Sequence, residues 1–463
     1  MNFDLIVLGS GPGGYVAAIR ASQLGMNVAV VEKSELGGIC LNWGCIPTKA
    51  LLKSAQVFNY FKHSSDYGII SNDEVKPDFE KIIQRSREVA ASMNKGIEFL
   101  LKKNKISVIF GYGKLIDKNS ISVLKSDNSE EIISASKIIL ATGARSKDIP
   151  AFKQDGKFII GYREALSLDK LPKSMVVIGS GAIGTELAFF YKSLGTDITL
   201  VEFLPEIVPL EDEDVSKQLS RSFRKIGMNI MTGTSVNNVQ IVDNKCFVNY
   251  TDKKGEGQII CDIVLSAVGI TTNIENIGLE NLGIITEKGK IIVNDFYKTN
   301  VENIFAIGDI VHGPALAHVA SAEAICCVEA IAGLNPEIID YENIPSCVYT
   351  TPEIASVGLT EKEVKEKGIN YKIGKFPFTA SGKATAAGNK DGFVKLIFDV
   401  SSDELLGAHI IGDNIAEMIA EMVVLKKLNG KAKDLIKSIH PHPSLSEAIM
   451  EAAANAHNES VHI

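Results

Sequence analysis

Two cysteines five positions apart, Cys40 and Cys45, are the first residues in this sequence whose types and spacing could do chemistry. They lie in Gly37-Gly38-Ile39-Cys40-Leu41-Asn42-Trp43-Gly44-Cys45-Ile46-Pro47-Thr48-Lys49. Gly44 permits a tight backbone turn before Cys45. Residues 46–55 read as a helix, with Pro47 tolerated in its first turn. Cys45 is therefore expected at a helix N-terminus, where the dipole and free N–H groups favour a thiolate. A lowered thiol pKa serves disulfide exchange, both for attack and for departure. Lys49, four residues after Cys45, falls on the same helical face, where it could hold positive charge near a thiolate or an electron-rich ring. For a bare C-x4-C, two unrelated reduced cysteines in a Gly-rich turn remain the alternative. Cys326 and Cys327, adjacent in a predicted helix, read as buried small apolar residues rather than a vicinal disulfide.

A second chemical group stands in the tail, His440-Pro441-His442-Pro443-Ser444-Leu445-Ser446-Glu447. The prolines stiffen this segment and keep it out of a helix. His442 could act as a general acid/base, with Glu447 orienting the ring and raising its pKa. A surface histidine preceding a helix is the alternative. A metal site is disfavoured, because no Cys or Asp completes one locally.

These residues need elements to position them. Residues 3–8 form a short apolar run expected to be a buried parallel strand. Gly9-Ser10-Gly11-Pro12-Gly13-Gly14 follows, then an Ala-rich helix and a strand over 28–31 that ends in Glu32. This is a dinucleotide-binding βαβ unit: Gly9 makes the turn, Gly11 admits a pyrophosphate, Gly14 lets helix meet strand, and Glu32 accepts ribose hydroxyls. The unit recurs as a strand over 174–178, then Gly179-Ser180-Gly181-Ala182-Ile183-Gly184, a helix, and a strand ending in Glu202. The spacing from first glycine to terminal acid is the same in both copies. Two nucleotide sites fit an electron carrier with a flavin and a nicotinamide.

Between and after the copies, 106–131 is expected to form β-hairpins. Residues 138–143 read as a strand running into a small-residue turn, and 290–296 and 303–307 as further strands. Asp309, just past the last of these, suits either a hydroxylated ligand at a sheet crevice or a helix cap. From about 345 the pattern changes to an antiparallel sheet, with strands at 348–357, 371–378, 392–399 and 405–411 and helices at 417–428 and 432–437.

At 463 residues, a prior of about 150 per domain gives three or four domains. The net charge of −8 argues against nucleic acid or an anionic membrane surface as partner. Seven cysteines are too few and odd in number for a secreted disulfide framework. No apolar run approaches the ~18–20 residues of a membrane span. A strand begins almost at residue 1, with no basic segment before it, so a signal peptide is read as absent or already removed.

Taken together, the stretch 37–52, both glycine motifs, Ala141-Thr142-Gly143, Ala306-Ile307-Gly308-Asp309, the segment 349–358 and the His442–Glu447 tail resemble the class I flavoprotein disulfide reductases. The resemblance spans nearly the whole chain and is closest to the branch that oxidises dihydrolipoamide for the 2-oxo-acid dehydrogenase complexes. It implies an α/β fold of two Rossmann-like dinucleotide-binding domains plus a C-terminal α+β dimerisation domain. The implied boundaries are 1–145 (FAD-binding, with the redox disulfide), 146–272 (NAD-binding), 273–344 (completing the FAD site) and 345–463 (dimerisation). Two departures stand out. Trp43 replaces a small aliphatic residue, and the stretch 314–320 carries Ala315 and Val319 where Met and Lys are usual.

The resemblance also implies roles. FAD would use Gly9, Gly11, Gly14, Glu32, Lys49, Gly113, Thr142, Gly143, Asp309 and Ala317. NAD would use Gly179, Gly181, Ile183, Gly184, Glu186, Glu202 and Gly269, with Glu186 pairing with Lys49. No metal is implied. His442 would take a proton from a dihydrolipoamide thiol, the thiolate would attack Cys40, and Cys45 would leave as a thiolate facing the flavin. FAD and NAD+ would then take the electron pair in turn. Partners implied are the lipoyl domains of the acyltransferase component and a second copy of the chain. The expected compartment is the bacterial cytoplasm, or the mitochondrial matrix if a transit peptide was removed. Glu202, with no Arg or Lys between Phe203 and Ser216, points to NAD(H) over NADP(H). A glutathione-type reductase and a non-catalytic lipoyl-complex subunit are the rival readings. A mercuric reductase would need a C-terminal cysteine pair, and the last cysteine here is Cys347.

Overall fold

The computed structural model describes residues 2–70 and 75–463. The chain divides into two compact units, Met1–Ala50 with Lys81–Lys147 and Ile270–Ile339, and Leu51–Glu80 with Asp148–Gly269 and Asp340–Ile463.

The first unit is built on a sheet whose strands run in the order Ser107–Phe110, Val28–Glu32, Asn2–Leu8, Glu130–Leu140, Ser120–Leu124, Tyr112–Asp117, with Ile304–Ala306 also pairing with Glu130–Leu140. The pairings among the first four strands are parallel, as is that of Ile304–Ala306. Uninterrupted apolar runs such as Leu5-Ile6-Val7 suit strands covered on both faces, and all three side chains are buried. Pro12 opens the helix Pro12–Gln23, whose buried face is Gly13, Gly14, Ala17, Ala18 and Ala21. Such small residues let this helix lie close to its strands and to the helix Ala317–Ile331. The hairpins expected over 106–131 are present, except that Ser107–Phe110 joins the parallel layer. The single strand expected over 290–296 is shorter. Only Lys290–Ile291 pairs, and the Asn294 side chain then accepts the N–H groups of Phe296 and Lys298, turning the chain.

The second unit repeats the parallel theme. Its sheet runs Asn229–Met231, Asp197–Val201, Ser174–Ile178, Ile263–Ser266, Ile159–Ile160. A three-stranded antiparallel sheet (Ser235–Val242, Lys245–Asp252, Gly255–Cys261) covers part of it. Residues 340–463 add the expected antiparallel sheet, ordered Ser346–Val348, Glu353–Gly358, Leu405–Gly412, Phe393–Asp399, Tyr371–Pro377. The strand expected over 348–357 is two strands, because residues 349–352 turn the chain and bring Val348 opposite Ile354. The helix expected over 417–428 is a 3₁₀ turn, Ile415–Glu417, followed by Ile419–Lys427. The last helix, Glu447–Asn455, lies against Tyr371–Pro377. A Cβ on Gly374 would sit 1.7 Å from the Ala452 carbonyl, so that approach requires glycine. Among the described residues no helix is long and apolar enough to cross a membrane.

Candidate active site

Each glycine motif folds into a cradle whose parts have separable reasons. Gly9 has φ +105, and a Cβ there would lie 2.3 Å from the Ala141 carbonyl oxygen. A Cβ on Gly14 would lie 2.0 Å from the Gly9 oxygen. Gly11 differs: its backbone is extended, it caps the helix Pro12–Gln23, and a Cβ on it would meet nothing within 4 Å. Open space in front of free helix N–H groups fits a pyrophosphate. The Ser10 N–H and hydroxyl both donate to Glu32 Oε2 (2.9 and 2.6 Å), and the Ser34 N–H donates to Oε1 (2.9 Å). The carboxylate is thereby fixed, with lone pairs left for ribose hydroxyls.

The rest of the first unit extends this cradle. Thr142 and Gly143 form the turn after Glu130–Leu140. It is pinned by Asn273, whose N–H donates to the Gly143 carbonyl (2.8 Å) and whose own carbonyl accepts the Thr142 hydroxyl (2.6 Å). Asp309 sits in the 3₁₀ turn Gly308–Ile310. Burial pushes its carboxyl up and Lys290 opposes this, which suits an acid waiting for hydroxyl partners. The buried Glu323 holds that turn by accepting the Gly308 N–H at 2.6 Å. Ala317 begins the helix Ala317–Ile331. Gly113 lies in a strand against Leu8 and Val31, where a Cβ would clash with Leu8. Of the two departures near Ala317, Val319 is buried and Ala315 exposed.

The cysteines stand on two consecutive helices. Cys40 belongs to Gly38–Trp43, and Cys45 is the first residue of Cys45–Lys62. The helix thus starts where the dipole argument needs it, although it runs on to Lys62 and is preceded by a second, short one. The left-handed residues are Gly37 and Gly38 rather than Gly44. A Cβ on Gly38 would lie 2.6 Å from Gly11 Cα, so the cysteine segment abuts the first cradle at its open position. Cys40 is half-buried and Cys45 exposed, both in the thiol form. A hydrogen bond with Cys45, then burial, push the Cys40 thiol far up, and Lys49 pulls the other way. The short helix is clamped from Phe79–Lys103. The Arg87 guanidinium donates to the Asn42 carbonyl and lies 3.8 Å over the Trp43 ring, while Asn94 donates to the Leu36 carbonyl (2.8 Å). Trp43 also donates to Glu35 (3.2 Å).

In the second unit the cradle is rebuilt with different residues. Gly179 has φ +97, a Cβ on Gly184 would lie 2.0 Å from the Gly179 oxygen, and Gly181 again faces open space. Ser180 donates twice to Glu202 Oε2 (2.8 and 2.7 Å) and the Leu204 N–H donates to Oε1 (2.9 Å). Ile183 leaves its side chain exposed in the first turn of Ala182–Leu194. Gly269, at φ +112, also faces open space. Glu186, buried in the same helix, accepts the Tyr349 N–H at 3.0 Å. In the tail, His442 Nδ1 and Glu447 Oε1 are 2.8 Å apart, and the Ser444 N–H donates to Glu447 Oε2 (2.8 Å). That N–H, and next the imidazole against the cost of burial, hold the Glu447 carboxyl below the usual range. The His442 ring is 81% exposed, which leaves Nε2 free to meet a substrate. A second pair, His440 with Glu421 at 2.9 Å, lies beside it. No His, Cys, Asp and Glu cluster among the described residues could hold a metal.

Two nucleotide cradles in one chain, one of them touching a dithiol, match a described family. Residues 3–324 match "Pyridine nucleotide-disulphide oxidoreductase", and residues 344–453 match its dimerisation domain. This chain belongs to the pyridine nucleotide-disulphide oxidoreductases. Relatives within the family include a dihydrolipoyl dehydrogenase of Rhizobium etli, 46% identical over 98% of each chain, and one of Bacillus subtilis, 42% identical over 100% of this chain and 99% of its own. A mitochondrial dihydrolipoyl dehydrogenase of Arabidopsis thaliana is 40% identical over 99% of this chain and 91% of its own. Among solved structures, LpdA of Mycobacterium tuberculosis superposes with a TM-score of 0.90 at 26% identity, covering 97% of this chain and 98% of its own. The resemblance read from the motifs is borne out, as is the fold class.

The members of this oxidoreductase site that sequence reasoning missed share one property: each reaches its motif from an element outside that motif. Arg87 and Asn94 reach the cysteine helix, Asn273 reaches Thr142, and Glu323 reaches the turn that carries Asp309. The one available signal was the Ser inside each glycine motif, a donor next to an acid-terminated strand.

Proposed function

We propose that this pyridine nucleotide-disulphide oxidoreductase is a dihydrolipoyl dehydrogenase: it oxidises dihydrolipoyl groups and reduces NAD+. The observation that carries the reading is the dithiol at a helix start, held against the open glycine of the first cradle, in a chain with full-length dihydrolipoyl dehydrogenase relatives. FAD fits the first cradle, held by Gly9, Gly11, Gly14, Glu32, Thr142, Gly143 and Asp309, with Lys49, Gly113 and Ala317 lining it. NAD fits the second, held by Gly179, Gly181, Ile183, Gly184, Glu186, Glu202 and Gly269. The proposed functional division follows the resemblance: 1–145 and 273–344 for FAD, 146–272 for NAD, 345–463 for dimerisation.

In this reading His442 Nε2 accepts a proton from a dihydrolipoyl thiol, while Glu447 at Nδ1 fixes the tautomer and balances the imidazolium. The substrate thiolate attacks the Cys40 sulfur of the oxidised pair, Cys45 departs at the helix N-terminus, and the second substrate thiolate closes the lipoyl disulfide. FAD, when bound, supplies the acceptor that takes the electron pair on to NAD+. Lys49 and Glu186 are assigned positioning and charge-balancing roles. The physiological substrate is the lipoyl domain of a 2-oxo-acid dehydrogenase acyltransferase, met in the bacterial cytoplasm or mitochondrial matrix.

The chain works as a homodimer, and the resemblance supports a site in which the His442–Glu447 dyad serves the partner subunit's thiols. The test of the reaction is NADH-linked lipoamide turnover measured beside glutathione disulfide with NADPH; a preference for the latter pair would select the glutathione-type alternative. The test of the shared site mixes Cys45→Ser with His442→Ala chains, refolded together with FAD. Heterodimers should recover about half the wild-type activity per dimer, because one of two equivalent sites is intact. No recovery in verified heterodimers assigns the dyad to its own chain.

A further inference from the structure

The second unit holds a thiol pair that neither cradle nor the exchange chemistry uses. Cys246 lies near the start of Lys245–Asp252 and Cys261 ends Gly255–Cys261, and the two stand directly opposite in the antiparallel register. Residues so paired have Cα atoms about 4.5–5.5 Å apart, inside the window a disulfide requires. Opposite residues also project to the same face of the sheet. Both thiols are buried among Phe152, Val176, Val248 and Val264. Cys246 Sγ also lies 3.5 Å from the Phe158 carbonyl and Cys261 Sγ 3.3 Å from that of Ile263. A single buried cysteine is explained as a small apolar filler; that explanation does not call for a second one in register with the first.

We propose that Cys246 and Cys261 form a second two-electron thiol–disulfide couple, closed by small hydroperoxides and separate from Cys40 and Cys45. The pair is asymmetric. The neighbouring Cys261 thiol holds the Cys246 thiol below its ordinary range, whereas Cys246, then burial, push Cys261 up. The proposed order has Cys246 attacking and Cys261 resolving, and the Cys261→Ser variant below tests that order. The Cys246 thiolate attacks one peroxide oxygen; the O–O bond breaks, one oxygen stays as a sulfenic acid, and the other takes back the proton Cys246 released and leaves as water (or as the alcohol, from an alkyl hydroperoxide). The Cys261 sulfur then attacks the sulfenic sulfur; the S–S bond forms, the S–O bond breaks and a second water leaves. The peroxide gains two electrons and the two sulfurs lose them. Gly255–Cys261 is the outer strand of its three-stranded sheet, and its local opening is the proposed route for a molecule the size of hydrogen peroxide.

The test uses the FAD-loaded, full-length enzyme, reduced, freed of reductant, exposed to graded hydrogen peroxide, acid-quenched, then alkylated with N-ethylmaleimide in denaturant and digested. The expected result is a linked peptide joining Cys246 to Cys261, loss of alkylation at both, and recovery of both thiols with dithiothreitol. A Cys40→Ser, Cys45→Ser double variant should form the same link, and Cys261→Ser should stop Cys246 at its sulfenic acid, trapped by dimedone. Glutathione disulfide in place of peroxide should leave both thiols alkylated. The proposal is overturned if both cysteines stay fully alkylated at peroxide doses that close Cys40–Cys45. It is equally overturned if the link forms only in enzyme unfolded with urea before exposure.

Discussion

The two cradles share their glycine, serine and acid positions up to the acid and diverge immediately after it. Ser10 and Ser180, Gly11 and Gly181, Glu32 and Glu202 make the same bonds and leave the same open face. Past Glu32 the chain makes two left-handed glycines and the cysteine helix, which Arg87 and Asn94 clamp. Past Glu202 it makes a loop that exposes Phe203 and Leu210 and then ties down through Asp212, which pairs with the buried Lys395 at 2.8 Å. Asp214 and Glu361 complete that ion cluster at 3.1 and 2.8 Å, and Glu211 next door lies 3.5 Å from the Ser346 hydroxyl. A nucleotide cradle is thus a local, repeatable device. The segment each cradle leads into differs: a dithiol in one case, a loop tied down through an ion cluster in the other.

The largest break in this comparison comes from Cys45→Ser. Removing the group that only the first cradle leads to should lower lipoamide turnover on the order of 10³-fold or more, since the members of a nucleophilic unit fail together. FAD absorbance should persist, and NADH oxidation with an artificial acceptor should separate the two halves of the reaction. His442→Ala should cost about 10²–10⁴-fold in lipoamide turnover, the usual contribution of a general acid/base, with FAD content unchanged.

The matched pair Glu32→Gln and Glu202→Gln tests whether equal geometry serves different ligands. Each removes a charge that accepts hydroxyls, a loss of about 1.5–3 kcal/mol, or roughly 10–150-fold in affinity. The first should appear as FAD lost on gel filtration. The second should appear as a raised KM for NAD+ with FAD retained. Identical phenotypes would remove the distinction drawn here.

The smallest effects concern the anchors. Burial pushes the Glu211 carboxyl up to about 7 from an ordinary 4.5, against its hydrogen bonds to Ser356 and Ser346. The folded state therefore holds this proton more tightly than the unfolded chain. Its stabilising contribution is complete below pH 4.5 and is lost as pH rises through 7. Melting temperature measured across that range should fall less steeply with pH in Glu211→Gln than in wild type. On the first cradle's side, Arg87→Met should cost about 1 kcal/mol of stability by denaturant titration, the scale of a partly exposed cation–π contact.

The motif glycines, the acids that end two strands, the apolar runs flanking them and the start of the Cys45 helix were legible in the sequence. Each depends on backbone sterics or on bonds closed within a single βαβ unit, so residue type and spacing nearly determine them. The clamp on the segment around Cys40, the pin on Thr142, the bond from Glu323 to the turn that carries Asp309, and the pairing of Cys246 with Cys261 were not legible. Nor was the break of 348–357 into two strands. In each of these the partner is brought up by the path of the chain or by strand register, and a donor such as Arg87 carries no mark in the sequence of the carbonyl it will meet. The chemistry a segment can do follows from its own atoms. The rigidity and neighbours that let it be done depend on contacts whose sequence separation no local pattern encodes, and the tertiary structure alone decided them.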